Sequence, residues 1–206
     1  MRRNCLVPFL SALVFVLLLA GCWNPFKPPE EPDPGNPPPV ELLPRTTPQN
    51  VLYNLRVIYG TKDNSVNTPD DAHSLALTYR EILYPGFKFH FLAADKPPEL
   101  PEDWWGRNDE VASFDSLVTK RALGIVNEIQ LSWSPGVAQE DNRLDEYGAL
   151  LHPGWMRIDV TSILLDVVQG ETTYRVSNGT ANLWFAPDPA DTTLWVISEW
   201  QDWQPL

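Results

Sequence analysis

Cysteine is scarce in this chain, which has only Cys5 and Cys22 among its 206 residues. Cys5 lies inside an N-terminal apolar run of the kind that is removed during export. A mature chain without that run would keep one thiol and could form no intramolecular disulfide. The folded part must therefore take its stability from a hydrophobic core rather than from cross-links.

Basic residues are also few, with 15 Lys and Arg against 27 Asp and Glu, for a formal net charge of −12. This excess of acid opposes binding to nucleic acid and to anionic lipid headgroups. The three histidines form no His/Cys pair, and no Asp spacing fits a calcium loop. A phosphate-binding loop and a serine nucleophile elbow are missing as well. We therefore expect no nucleic-acid partner, no metal and no cofactor.

The N-terminus has the layout of a secretory signal, with Arg2 and Arg3 followed by the apolar run Leu6 to Leu19. The run is shorter than the roughly 20 residues that span a bilayer. It ends in Leu19-Ala20-Gly21-Cys22, which resembles the lipobox of bacterial lipoproteins. The resemblance implies cleavage between Gly21 and Cys22 and acylation of Cys22. The alternative is an ordinary signal peptide with a chance cysteine near its end.

Lipidation would give the lone thiol a purpose and hold the protein on a membrane outside the cytoplasm. Several acyl chains anchor stably where one does not. Trp23, rather than Asp, follows the cysteine. In a Gram-negative cell this favours the outer membrane over the inner one.

Residues 22–46 form a proline-rich tether, since ten of the 21 prolines lie between Trp23 and Pro48. Such a stretch lacks the apolar residues for a core and favours extended polyproline II structure, so we expect it to be disordered. A spacer that lifts the domain off the membrane is the simpler interpretation. A ligand for a proline-binding domain or for the cell wall is the alternative.

Residues 47–206 make up one domain, which begins with helices. Thr47-Pro48 and Thr68-Pro69 are start signals, and apolar residues at helical spacing follow each until Gly60 and Pro85-Gly86. Phe87, Phe89 and Phe91 alternate with polar residues as in a short strand. A third helix begins within Trp104 to Glu110, with its apolar positions at Val111, Phe114, Leu117 and Val118.

Beyond Gly124 the period changes from 3.6 to 2, which predicts strands. They are expected over Ile125 to Trp133, Trp155 to Val168, Thr172 to Phe185 and Leu194 to Trp203. Asn178-Gly179 is a strong hairpin signal inside the third of them. It makes either a hairpin that splits this strand or a bulge within it.

Helices followed by long antiparallel strands make an α+β layout. The order resembles NTF2-like (SnoaL-like, cystatin-like cone) domains. Four stretches carry the resemblance to their lipoprotein members: Ile82 to Phe91, Trp104 to Glu110, Gly179 to Phe185, and Leu194 to Asp202. It implies a curved antiparallel sheet around helices, with an apolar pocket. Members range from isomerases, dehydratases and cyclases to inert binders and dimerising modules, so the fold leaves the function open.

Enzymatic members place an Asp or His, often with a Tyr, at the pocket floor. Asp166, inside the apolar run Ile163 to Val168, is the best candidate here, against the alternative of an exposed strand-end carboxylate. Glu199 is expected to pair with an arginine. His73, His90 and His152 are not expected to enter the core.

Eight of the nine tryptophans lie between Trp104 and Trp203 and make the domain rich in aromatic residues. The candidates for ligand contact are Trp104, Trp155, Trp184 and Trp200. The alternative is that these rings build the core or an interface. A one-residue error in strand register would invert which face each ring occupies.

Three functions remain open. The first is a non-enzymatic envelope lipoprotein that binds a small apolar molecule or a protein, and the second is an isomerase or dehydratase. The third is an assembly subunit, for instance a homodimer formed through the sheet. A buried Asp or Glu in the pocket within reach of a Tyr would favour the second.

Overall fold

A computed structural model describes residues 41–60, 66–92 and 96–203. The predicted signal peptide, the lipobox, Cys22 and most of the tether lie outside the described residues and stay predictions. Among the residues that the structure describes, no helix has the length and apolarity needed to cross a membrane.

The helices begin where the sequence predicts. Helix α1 spans Pro48–Tyr59, and the Thr47 hydroxyl accepts a hydrogen bond from the N–H of Asn50 at 3.2 Å. Helix α2 spans Pro69–Glu81 and starts with a capping box between Thr68 and Asp71. These caps satisfy amide groups that the first helical turn leaves without partners.

Helix α2 ends earlier than predicted. Its last residue is Glu81, and strand β1 spans Leu83–His90, running through Pro85 and Gly86. Leu83 already pairs with Ile197, and the pairing shifts register before Lys88. Because the proline lies at this irregularity, its missing N–H costs no regular ladder bond.

Trp104–Gly106 form the short strand β2, which pairs with β1, and helix α3 spans Arg107–Ala122. The third helix therefore begins within the predicted stretch, after both tryptophans. The remaining strands are β3 Glu128–Pro135, β4 Gln139–Glu140, β5 Met156–Gln169, β6 Thr172–Asp188 and β7 Asp191–Trp203.

One sheet contains all seven strands, in the order β2-β1-β7-β6-β5-β3 with β4 beside β5. Strands β1 and β7 run parallel, and every other pair is antiparallel. The sheet is thus mixed, which corrects the expectation of a purely antiparallel one. Three helices among the described residues share a core with one face of this sheet. The predicted α+β fold, helices first and long strands after, is confirmed.

Asn178-Gly179 makes a bulge rather than a hairpin. Strand β6 is continuous, and Asn178 has a φ of 58°, opposite a matching irregularity at Ser162 in β5 with a φ of 54°. Each is an extra residue in its strand. The residues that face the core therefore have even numbers on one side of the bulge and odd numbers on the other. On β5 the core residues are Ile158 and Val160 before Ser162, then Ile163 after it.

A similar bulge lies in β7. Trp184 pairs with Glu199 and Phe185 pairs with Ile197, which leaves Ser198 as the extra residue. Its hydroxyl donates to the carbonyl of Trp184 at 3.0 Å. Ile197 and Trp200 therefore both face the core, while Glu199 faces outward.

The segment between β3 and β5 covers part of the outer face of the sheet. Arg143 from this segment contacts Asp141 at 2.8 Å and Glu199 at 2.7 Å, and its guanidinium lies 4.2 Å from the centre of the Trp184 ring. The prediction that Glu199 pairs with an arginine is confirmed.

The last residues of the predicted tether contact the domain. Leu43 exchanges two hydrogen bonds with the Asn54 side chain, both 2.8 Å. Arg45 bonds the carbonyl of Glu81 at 2.7 Å and the carboxylate of Asp188 at 3.1 Å. Leu43 and Arg45, which precede Thr47, are therefore held against the domain by these contacts.

The bulge at Asn178 predicts a specific sensitivity at Gly179. A Cβ at this position would lie 3.2 Å from the Cβ of Ile163, whereas one at Gly86 would have only ordinary contacts, at 3.5 Å or more. We expect Gly179→Ala to lower the free energy of unfolding by about 1–2 kcal/mol through overpacking. Gly86→Ala, the matched control, should cost nothing measurable. Equal losses in urea denaturation would show that the bulge is not tightly packed.

Candidate ligand cavity

A cavity of about 450 Å³ lies between the helices and the inner face of the sheet. Helices α1 and α3 and strands β1, β2, β3, β5, β6 and β7 all contribute to its wall. The wall is mainly apolar, with Phe89, Leu92, Phe114, Leu117, Leu131, Ile163, Leu165 and Val176. Its volume falls in the range of roughly 300–1,000 Å³ that small-molecule sites occupy.

Aromatic rings crowd one side of this cavity. Phe89 lies 5.8 Å from Trp105 and 5.6 Å from Trp200, centre to centre, and all three line the wall. Edge and tilted contacts at these distances stabilise ring clusters. The rings therefore form a fixed surface rather than loose side chains.

Glu110 supplies the buried polar group of the cavity, and its residue is only 5% exposed. Its Oε1 accepts the hydroxyls of Tyr79 at 2.6 Å and Tyr59 at 3.3 Å. Its Oε2 accepts the indole N–H of Trp105 at 3.0 Å. One carboxyl group thus joins α1, α2, β2 and α3.

Burial raises the pKa of Glu110, and the three hydrogen bonds offset this only in part. Burial and the nearby Glu110 charge also raise the pKa values of Tyr59 and Tyr79 well above the ordinary value. Both hydroxyls therefore keep their protons and remain donors at any physiological pH.

Local sequence explains where Glu110 points. Asp109 accepts the N–H of Gly106 at 3.1 Å and so fixes the start of α3. Glu110 then stands four residues before Phe114 and seven before Leu117, on the same face of the helix. That spacing was the signal that could have identified this acid, because it lies in line with the apolar stripe.

A second carboxylate, Asp202, also lines the cavity, and its Oδ1 accepts the indole N–H of Trp200 at 2.9 Å. Among the described residues of the wall there is no lysine, arginine or histidine. The carboxyl groups of Glu110 and Asp202 are therefore the charged groups among the described residues of this wall.

The four tryptophans predicted for ligand contact lie in different places relative to the cavity. Trp200 lines the cavity, and so does Trp105, which was not among them. Trp104 alternates with Trp105 along β2, and Lys88 Nζ lies 4.6 Å from its ring centre.

Trp155 and Trp184 lie outside the cavity wall. Trp155 stacks on His152 at 3.8 Å, and Trp184 is buried beneath Arg143 on the outer face of the sheet. Ligand binding by any of the four stays a prediction, and for these two it would need a site other than this cavity.

Asp166 does not reach the cavity. It lies on the outer face of β5, where Arg175 holds both its oxygens at 2.6 and 2.8 Å. The hydrogen bonds and charge of Arg175 lower the pKa of this carboxyl. A paired acid of this kind is a poor candidate for proton transfer at neutral pH.

The histidines also lie away from the cavity wall. His90 is half-buried rather than exposed, and burial lowers its pKa. His73 lies 3.6 Å from Asp115 on the surface. Within the described ranges, no group of three or more His, Cys, Asp or Glu side chains is arranged to hold a metal ion.

Known proteins offer similarity of fold only. No protein family and no curated protein matches the sequence. A cystatin-like domain of unknown function from Nostoc punctiforme is 9% identical, covering 78% of this chain and 80% of its own, with a TM-score of 0.40. A putative SnoaL-like polyketide cyclase from Shewanella denitrificans is 13% identical over 76% and 90%, with a TM-score of 0.36. ActVI-ORFA from Streptomyces coelicolor is 9% identical over 64% and 84%, with a TM-score of 0.35. Likeness at this level carries no information about what this chain binds.

The Glu110 cluster predicts an asymmetry between tyrosines. Tyr79→Phe should lower the free energy of unfolding by about 1–3 kcal/mol, because it leaves a buried carboxylate short of its closest donor. Tyr174→Phe is the control, since Tyr174 is 59% exposed. Urea denaturation of both variants measures the difference. A Tyr79→Phe protein as stable as the control would contradict the hydrogen bond.

Proposed function

We propose that the domain binds a small, mostly apolar molecule in this cavity and takes part in no chemistry. The observation that carries the proposal is the cavity itself. It has a volume of about 450 Å³, mainly apolar walls and a carboxyl group fixed on one side. Ligand sites combine a large apolar surface with a few oriented polar groups in this way. Glu110 would orient the molecule, and the rings of Phe89, Trp105 and Trp200 would contact its body.

We further propose that Cys22 anchors this binding domain to the cell envelope, on the outer membrane if the cell has one. The lipobox and the proline-rich tether support this arrangement. Together they would hold the cavity some distance from the lipid surface.

An enzyme that moves a proton is the second candidate. It is favoured by the buried Glu110, whose pKa is raised, next to two tyrosine hydroxyls. A carboxyl group tuned in this direction suits general acid–base catalysis near neutral pH. Against this, side chains of the protein already supply three donors to Glu110, which is what a structural carboxylate also needs. A homodimer through the sheet remains a prediction.

Native mass spectrometry of the intact chain, with and without added apolar molecules, tests the binding proposal. A small molecule that co-purifies or is taken up at one per chain is the expected result. Val176→Trp should abolish it, because Val176 is a half-exposed part of the cavity wall. Val137→Trp is the matched control, since Val137 is exposed away from the cavity. Retention of the molecule by Val176→Trp would exclude this cavity as the site.

The same molecule distinguishes the binder from the enzyme. If it is converted, and Glu110→Gln stops conversion while binding persists, the enzyme candidate is correct. If it returns unchanged from the wild-type protein, the binding proposal stands.

The anchoring proposal predicts that Cys22→Ser leaves the precursor unprocessed and without lipid, while the downstream domain still folds. Cys5→Ser, the control, should mature normally because Cys5 lies before the predicted cleavage site. Metabolic labelling with a fatty acid and mass measurement of the mature N-terminus check both. A mature form without lipid that begins at another residue would overturn the proposal.

A further inference from the structure

We infer that the molecule bound in this cavity is an organic cation, an ammonium group carried on an apolar body. The inference rests on the proposed binding function and names the class of ligand. It comes from the charge, the hydrogen-bond donors and the rings of the cavity wall.

The charged side chains of the cavity wall are acidic. Glu110 and Asp202 both line the cavity, and none of its described lining residues is basic. A carboxylate or phosphate ligand would meet repulsion from the Glu110 carboxylate in a partly desolvated site. The chain as a whole is also strongly acidic, which attracts cations over longer distances.

The partners of Glu110 leave its negative charge uncancelled. Trp105 can only donate a hydrogen bond, so the Oε2 that it contacts must act as an acceptor. Tyr59 and Tyr79 donate to Oε1 and are neutral. The three bonds hold the carboxylate in place and stabilise it, but a positive charge has to come from outside this cluster.

The rings supply the second half of a cation site. Phe89 lies within 6 Å of both Trp105 and Trp200, ring centre to ring centre, in the wall that also carries the two acids. Ring faces attract ammonium groups, and tryptophan does so best. The aliphatic remainder of the wall, including Leu131, suits the apolar body of such a molecule.

Three probes that share a phenyl body separate charge from shape: 2-phenylethylammonium, 2-phenylethanol and 3-phenylpropionate. Each is titrated calorimetrically into the intact chain in a non-ionic detergent. The expected order is ammonium tightest, alcohol weaker by about tenfold, and propionate weakest, as a nearby unscreened opposite charge predicts.

Two variants assign the effect to the acids. Glu110→Gln should weaken ammonium binding by about tenfold more than it weakens alcohol binding, since the amide removes the charge and keeps the size. Asp202→Asn gives an independent reading if circular dichroism shows that Glu110→Gln is unfolded. Glu171→Gln, in the exposed β5–β6 turn, is the control for loss of one negative charge.

Equal binding of ammonium and alcohol, or tighter binding of propionate, would overturn the cation inference and leave the binding function intact. Weakening of ammonium binding by Glu171→Gln to the same degree would overturn it too, because the effect would then be that of net charge. If none of the three probes binds, the inference fails. The binding function fails with it only if native mass spectrometry also finds no molecule.

Discussion

The buried carboxylate of Glu110 is the interaction on which the arrangement around the cavity depends. It accepts hydrogen bonds from Tyr59 on α1, Tyr79 on α2 and Trp105 on β2. An apolar residue in its place would leave the buried hydroxyl of Tyr79 and two part-buried donors without this partner, at a cost of about 1–3 kcal/mol for the buried one. The group that holds the helices together also gives the cavity its polarity. The proposed recognition would therefore rest on the same side chain as the packing of the helices.

Bulges are the second constraint, because they decide which side chains reach the cavity. Ser162 and Asn178 shift the alternation of β5 and β6, and Ser198 shifts that of β7. The bulges turn Ile163 and Trp200 toward the cavity, and both line its wall. They turn Asp166 and Glu199 toward the outer face, where Arg175 and Arg143 bind these carboxylates. Without these three extra residues, strict alternation would turn carboxylates inward and the Trp200 ring outward.

The Glu110 contacts and the bulges explain why some features of the structure could be predicted from the sequence and others could not. Helix starts at Thr47 and Thr68, the order of elements and the α+β class follow from local patterns, and the structure agrees with them. Local patterns do not predict which side chains of each strand face the core, since each bulge depends on pairing with a distant strand. The apolar run around Asp166 predicts a buried acid near the core, whereas the bulge at Ser162 directs Asp166 to the outer face. An acid in the first turn of a helix is ordinary, so its position alone does not mark Glu110 as a site residue. Its helical spacing to Phe114 and Leu117 places it on the apolar face, but its burial also needs α1, α2 and β2 to converge on it, which no local pattern shows.

The state of Glu110 is the central claim, and a titration of its carboxyl carbon by ¹³C NMR tests it most directly. In the ligand-free protein the account predicts a midpoint above the ordinary glutamate value, because burial raises the pKa. Saturation with 2-phenylethylammonium should lower that midpoint, since a cation stabilises the charged form. A midpoint at or below the ordinary value in the ligand-free protein would contradict the account, because the effect of burial would then not exceed that of the three hydrogen bonds.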